Sequence, residues 1–159
     1  MIILGIDPGT TSIGYSIMKA DKRSPILLDA GLLKIKNADV GGRLGDIHKE
    51  TRRLIAAWNP SLLSIEKLYF ATNLKTAMAV SEARGVILLT AILGGLKVYE
   101  YSPLAIKKAV TGDGKADKRA VQKMIGMILK EAKNLKARDD VFDAIAVALT
   151  CCYLEKQEL

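Results

Sequence analysis

The sequence predicts an α/β fold: a five-stranded mixed sheet, with an antiparallel meander plus two parallel strands, flanked by helices. Three observations predict it. Ile2 to Ile6 form a short, nearly continuous apolar run ending at Asp7, the pattern of a strand buried on both faces in mid-sheet. Two more strand-like stretches follow directly, Ser12 to Lys19 and Ile26 to Lys36. Beyond them, short strand patterns alternate with helical ones, so the later strands should lie parallel to the first.

Each element has a local reason. Pro8-Gly9 turns the chain after the first strand, since Pro presets φ and Gly accepts φ > 0. The polar turn Asp21 to Pro25 joins the second and third strands. Gly41-Gly42 breaks the chain before a helix from Arg43 to Trp58, where Leu44, Ile47, Leu54 and Ile55 recur at helical spacing. Asn59-Pro60 stops that helix. Leu62 to Ile65 form the fourth strand, with Glu66 at its end. A helix from Leu74 to Leu93 ends at Gly94-Gly95, and Lys97 to Tyr101 form the fifth strand. Ser102-Pro103 opens a short helix with an N-cap and a first-turn proline. Thr111 to Ala116 read as a basic loop. Asp117 caps a helix from Lys118 to Lys130, and the last helix runs from about Asp140 to Glu155.

The 159 residues suit one domain, 1–159, with a full core. Half of them are hydrophobic and the mean hydropathy is +0.18, which excludes a disordered chain. No basic leader precedes the first apolar run, so no signal peptide is expected. The longest uncharged apolar run, Gly85 to Leu96, falls short of the ~20 residues of a spanning helix. A soluble cytoplasmic protein with no membrane association is the expectation. Cys151 and Cys152 are adjacent, with Cα atoms ~3.8 Å apart, below the usual disulfide separation of ~4.4–6.8 Å. They are expected as buried free thiols, consistent with a reducing compartment. His48, the one histidine, lies in a polar helical stretch and is expected at the surface.

The net charge is +7, and its location is informative. Lys97 to Arg138 hold eleven Lys or Arg against four Asp or Glu, which accounts for the whole excess. A one-sided basic surface points to a polyanion such as nucleic acid. The plain alternative is a solvated lysine-rich helix face.

Four carboxylates stand where elements begin or end. Asp7 and Glu66 close two strands that share a carboxyl edge if they are neighbours, ~4.8 Å apart, and that edge is where open α/β sheets place their sites. Asp140 and Asp143 are three apart at the start of the last helix and share one face. Their plain alternative is capping and macrodipole complementation, which is the expectation for Asp139. With no His or Cys among them, the four select a hard ion, Mg²⁺ or Mn²⁺. Carboxylates, metal and a basic surface together point to phosphodiester cleavage.

These residues resemble the RuvC family, the Holliday-junction resolvases of the RNase H-like superfamily. The resemblance covers essentially the whole chain. It rests on Gly5-Ile6-Asp7-Pro8-Gly9-Thr10, on Ile65-Glu66, on Glu82-Ala83-Arg84-Gly85-Val86 and on Asp140-x-x-Asp143-Ala-Ile-Ala. It implies an RNase H-like fold, a homodimer, and an endonuclease using two Mg²⁺ per subunit, with Mn²⁺ as an alternative. It also implies symmetric nicking of two like-polarity strands at a four-way DNA junction, leaving 5′-phosphates, in recombination and repair. A branch-migration motor, RuvA and RuvB, is the implied partner. Asp7, Glu66, Asp140 and Asp143 match the family's metal-binding carboxylates. Tyr69 matches an aromatic that stacks on bases near the crossover, its alternative being a half-buried strand-end tyrosine. Lys107 and Lys118 match basic residues near the scissile phosphate. Cys151-Cys152 stands where relatives often carry histidine.

Two rival functions share these features. Asp7-x-Gly9-Thr10-Thr11 also resembles the phosphate turn of actin-like ATPases, which need a second domain and an adenosine motif. A non-catalytic junction-binding protein is the other, although a binder has no use for four clustered acids. The helix Leu74 to Leu93 adds an expectation about assembly. It carries charge only at Lys75, Glu82 and Arg84 and is apolar round most of its circumference from Val86 on. A helix apolar all round must be buried on both sides. Ala77, Ser81 and Gly85 recur at i, i+4 and would admit a second helix, so an isologous dimer built on this helix is predicted, the plain alternative being a central helix sandwiched between the sheet and the other helices of its own chain.

Overall fold

The computed structural model describes residues 1–9, 12–21, 23–68 and 74–155. Its strands are β1 (Ile2–Asp7), β2 (Gly14–Lys19), β3 (Ile26–Leu32), β4 (Leu62–Glu66) and β5 (Lys97–Tyr101). The helices are α1 (Val40–Trp58), α2 (Leu74–Leu93), α3 (Pro103–Thr111), α4 (Lys118–Ile128) and α5 (Asp139–Leu154), with a 3₁₀ turn at Lys130–Ala132. The strands form one sheet in the order β3-β2-β1-β4-β5. β1 pairs antiparallel with β2, and β2 antiparallel with β3. β4 runs parallel to both β1 and β5. The expected meander plus two parallel strands is therefore present, with β1 at the centre.

A core lies on each face of the sheet. Leu4, Ile6, Ile17, Leu63 and Ile65 pack with Ile47 and Leu54 of α1 and with Ala83, Ile87 and Ala91 of α2. Ile3, Met18 and Leu62 pack on the other face with Ile106 of α3, Val121 and Ile125 of α4 and the apolar length of α5. Strand side chains alternate between faces, so Ile3, Gly5 and Asp7 share the α5 side. Leu62, Ser64 and Glu66 share it too. The pleat thus aims both strand-end carboxylates towards α5.

Helix α5 lies unusually close to the sheet. A Cβ on Gly5 would stand 2.4 Å from the Ala144 carbonyl oxygen and 2.8 Å from the Ala148 Cβ, and one on Gly14 would stand 1.9 Å from the Asp140 carbonyl oxygen. Buried hydroxyls fasten the contact. Ser16 Oγ donates to the Ala144 carbonyl at 2.8 Å, and Ser64 Oγ to the Val147 carbonyl at 2.7 Å.

Several boundaries differ from the sequence expectation. Gly41 and Gly42 belong to α1, because Asp39 caps the helix by accepting from the Gly42 N–H at 2.8 Å. β3 ends at Leu32, well before Lys36, since the N–H groups of Lys36 and Asn37 turn away to the Asp46 carboxylate. α4 stops at Ile128 because Leu129 turns extended before the 3₁₀ turn. Asn59, in the left-handed region at φ 45°, closes α1 as expected. Cys151 and Cys152 are buried free thiols, and His48 is exposed.

Helix α2 is covered on one side only. Ala83, Ile87 and Ala91 are fully buried against the sheet, whereas Met78, Leu89, Ile92 and Leu93 are 58% to 75% exposed. Among the described residues, Thr76–Leu93 is the one helical stretch long and apolar enough to cross a membrane, and 22% of it is buried.

The close approach of α5 gives a direct test. Gly5→Ala should lower stability by about 3 kcal/mol, the upper part of the range for overpacked cores, because the neighbour is backbone and cannot turn aside. A urea-unfolding midpoint equal to wild type would contradict this packing.

Candidate active site

The carboxylates meet at the edge where β1 and β4 end. Ile6 pairs with Ile65 in the parallel register, so Asp7 and Glu66 follow side by side. The first turns of α5 bring Asp140 and Asp143 to the same edge, because the Asp140 backbone sits on Gly14, the partner of Asp7 in the hairpin. Lys107 of α3 and Lys118 at the start of α4 close the other side. Glu66, Lys107, Lys118 and Asp143 line one cleft of about 310 Å³. Asp7, Glu66 and Lys67 line another of about 340 Å³. Glu66 and Pro103 border both. A larger cleft of about 890 Å³ lies between α1 and α2, lined by His48, Arg52 and Leu93, and holds none of these carboxylates. Chemistry, not volume, locates the site.

The electrostatics bind the four acids into one group. Asp7 is pushed up to about 7 by burial first, then by the charges of Asp143, Glu66 and Asp140. Burial and Asp143 also raise Glu66. Burial raises Asp143 too, against the opposing pull of Lys118. Lys118 Nζ lies 3.5 Å from Asp143 Oδ2 and 3.6 Å from Asp139 Oδ2, and Asp143 holds its ammonium above the usual lysine range. Asp139 is exposed and accepts from Gln122 Nε2 at 3.0 Å. It faces α4 and Lys118 from the first turn of α5, where its charge complements the macrodipole as expected, while the N-cap itself is Arg138.

The donor set suits a hard divalent cation. It offers carboxylate oxygens alone, and a positive ion would relieve the mutual repulsion that raises Asp7. Among the described residues, no three of these groups are drawn close enough to enclose an ion as they stand. Asp143 instead turns to Lys118, an exposed partner that a cation or a phosphate can displace.

The expected site residues Asp7, Glu66, Asp140, Asp143, Lys107 and Lys118 are thus brought to one edge. Tyr69 lies outside the described residues. Two residues escaped the sequence reading. The Ser12 hydroxyl donates to Asp140 Oδ2, across 128 positions of sequence. Arg84 of α2 pairs with Glu100 and donates to the Glu66 carbonyl at 3.4 Å, which ties α2 to the end of β4. Arg84 stood inside a recognised motif; nothing local marked Ser12.

Comparison with known proteins agrees with this fold. The profile described as "Crossover junction endodeoxyribonuclease RuvC" matches residues 3–151. A protein of that description from Alkaliphilus metalliredigens is 43% identical over 150 residues, covering 94% of this chain and 91% of the relative. The Thermus thermophilus RuvC structure superposes with a TM-score of 0.85 at 29% identity, covering 96% of this chain and 94% of that one. The same relative in complex with a Holliday junction substrate gives 0.86 at 29% identity, covering 96% and 93%. Fold and site together define a nuclease of the RNase H-like class. Within that class, the chain belongs to the RuvC family of crossover junction endodeoxyribonucleases.

The raised pKa of Asp7 sets a pH dependence. In metal-free protein the folded state holds a proton at Asp7 up to about pH 7, while an ordinary value is 3.8. Folded protein therefore binds more protons than unfolded chain between these values, and stability falls as pH rises through that window. Asp7→Asn removes the titration. In EDTA the variant should melt above wild type at pH 8, with the gap closing as pH falls towards 4. A gap independent of pH would contradict the assignment.

Proposed function

We propose that this protein resolves four-way DNA junctions by nicking two strands of like polarity symmetrically, with Mg²⁺ as cofactor, leaving 5′-phosphate ends. The observation that carries this reading is the set of four carboxylates at the β1/β4 edge, beside Lys107 and Lys118, in a chain of this family. The Thermus relative bound to a Holliday junction supports the substrate class. The family match across residues 3–151 leaves the actin-like ATPase and the non-catalytic binder without support.

The chain's own residues divide the work. Asp7, Glu66, Asp140 and Asp143 supply oxygen ligands for two divalent ions. Divalent ions held there would supply electrostatic stabilisation for an in-line displacement at phosphorus. Lys118 can leave Asp143 and Asp139 for a phosphate oxygen, and Lys107 flanks Glu66 in the same cleft. Both neutralise the strand entering an otherwise acidic edge. Pro103 and Ile106 wall the cleft. Tyr69 follows Glu66 closely in sequence and is proposed to stack on a base at the crossover. Two buried free thiols support a reducing, cytoplasmic setting, and RuvA and RuvB are the proposed motor partners.

A cleavage assay on a synthetic four-way junction tests the reading. Wild type should cut in Mg²⁺ and not in EDTA. Asp7→Asn should lose cutting and keep binding, because phosphate contacts supply most of the affinity. Lys107→Ala and Lys118→Ala should each weaken binding or cutting and lower the salt slope by about one phosphate contact. Asp7→Asn cutting at wild-type rate would overturn the proposed centre.

A homodimer through α2 is part of the proposal. The small-residue stripe Ala77, Ser81 and Gly85 lies on the uncovered side, and a Cβ on Gly85 would meet nothing within 4 Å. Met78, Leu89 and Ile92 stand exposed on the same helix. A two-fold contact there would bury them and face both active sites one way. Light scattering should give a dimer for wild type and a monomer for Ala77→Glu, with paired cuts lost in the variant. A wild-type monomer at tens of micromolar would refute the interface.

A further inference from the structure

The contact that no sequence signal announced is Ser12 on Asp140. Ser12 immediately precedes the residues that lead into β2 and is 9% exposed. A serine beside a turn ordinarily bonds its own neighbouring backbone. This one instead donates its hydroxyl to Asp140 Oδ2. The other carboxylate oxygen, Oδ1, lies beside the turn that follows Asp7: a Cβ on Gly9 would stand 3.0 Å from it. One oxygen is thus held from behind while the second is presented over Asp7-Pro8-Gly9.

Among the described residues, nothing else holds Asp140 so firmly. Arg138 Nε is 3.5 Å from the same Oδ2, but its side chain is 62% exposed, and exposed pairs of that length fix little. The Asp140 backbone is located by the close contact at Gly14. That leaves the side-chain torsions free, and the Ser12 hydroxyl restricts them.

We propose that Ser12 is a positioning residue for Asp140, holding its carboxylate in the orientation that receives a divalent cation between Asp140 and Asp7. This rests on the reading of the four carboxylates as a cation site. Ser12 touches neither the cation nor the substrate. Its effect is to reduce the reorganisation Asp140 undergoes when the ion arrives. Hydrogen-bond partners behind metal ligands typically carry a factor of about 10–100 in metal affinity.

Ser12→Ala removes the hydroxyl with little change of volume. Calorimetric titration with Mn²⁺, without DNA, should show affinity weakened about tenfold, the lower end of that range. The Mg²⁺ concentration for half-maximal junction cleavage should rise by a similar factor. The rate at saturating Mg²⁺ and the junction affinity in EDTA should match wild type within error, with the melting temperature in EDTA lowered only by the loss of one hydrogen bond. A serine that merely stabilised the loop would lower melting temperature and junction affinity and leave the metal titration unmoved, and that pattern would overturn the proposal. Unchanged Mn²⁺ affinity would overturn it as well. Titration of Asp7→Asn beside it separates the two levels: if wild type and Asp7→Asn bind Mn²⁺ alike, the cation site itself is wrong, whereas loss in Asp7→Asn with none in Ser12→Ala removes only the role of Ser12.

Discussion

The structure depends on how near α5 comes to the first hairpin. Gly5 and Gly14 present no side chain where the helix backbone passes, and the Ser16 and Ser64 hydroxyls bond its carbonyls from the sheet. These are buried hydroxyls, which need a partner when they leave water; here the partner is the helix itself. The helix is therefore fixed along its axis as well as held at its distance. Its apolar length, Val141 to Cys152, completes the core on that face. Its first turns then reach the sheet edge at a set height, and Asp140 and Asp143 arrive where the strands stop.

The same contact concentrates charge. Asp7 and Glu66 point to the α5 face through the pleat, and α5 delivers two more acids to them. Burial and like charge both oppose ionisation there, and Asp7 is raised to about 7 as a result. The packed cores on either side of the sheet offset this unfavourable edge. Lys107 and Lys118 relieve it in part, as their charges oppose the raised value of Glu66. Cations would relieve such an arrangement, and on the proposed function their charge would let a polyanionic strand enter. The basic segment from Lys97 to Arg138 extends the positive field beyond the cleft.

Much of this was legible in the sequence, for physical reasons. The apolar run at Ile2 to Ile6 has only one good home, the middle of a sheet, and Asp7 at its end follows. Glu66 is readable the same way, given a β4 parallel to β1. The alternation of strands and helices made the later strands parallel to the first, whereas the neighbour of β1 on that side came only with the structure. Boundaries were less legible where a side chain competed for the backbone: Asp39 drew Gly41 and Gly42 into α1, and Asp46 took the N–H groups that would have prolonged β3. Asp139 is legible as a first-turn acid because that role is local, whereas its partners Lys118 and Gln122 come from another helix. Ser12 was invisible for the same reason, since its acceptor lies 128 positions away. The apolar girth of α2 was legible, and the structure leaves that girth uncovered on one side.

The central claim is that the four carboxylates form one cation site at the β1/β4 edge. The most direct test is a crystal of the protein soaked in Mn²⁺ and measured at the manganese absorption edge. Anomalous peaks should lie within ligand distance of Asp7, Glu66, Asp140 and Asp143, two of them about 3.5–4 Å apart, with Asp143 released from Lys118. Manganese bound elsewhere on the molecule, with the carboxylates still turned to Lys118 and Ser12 alone, would contradict the account.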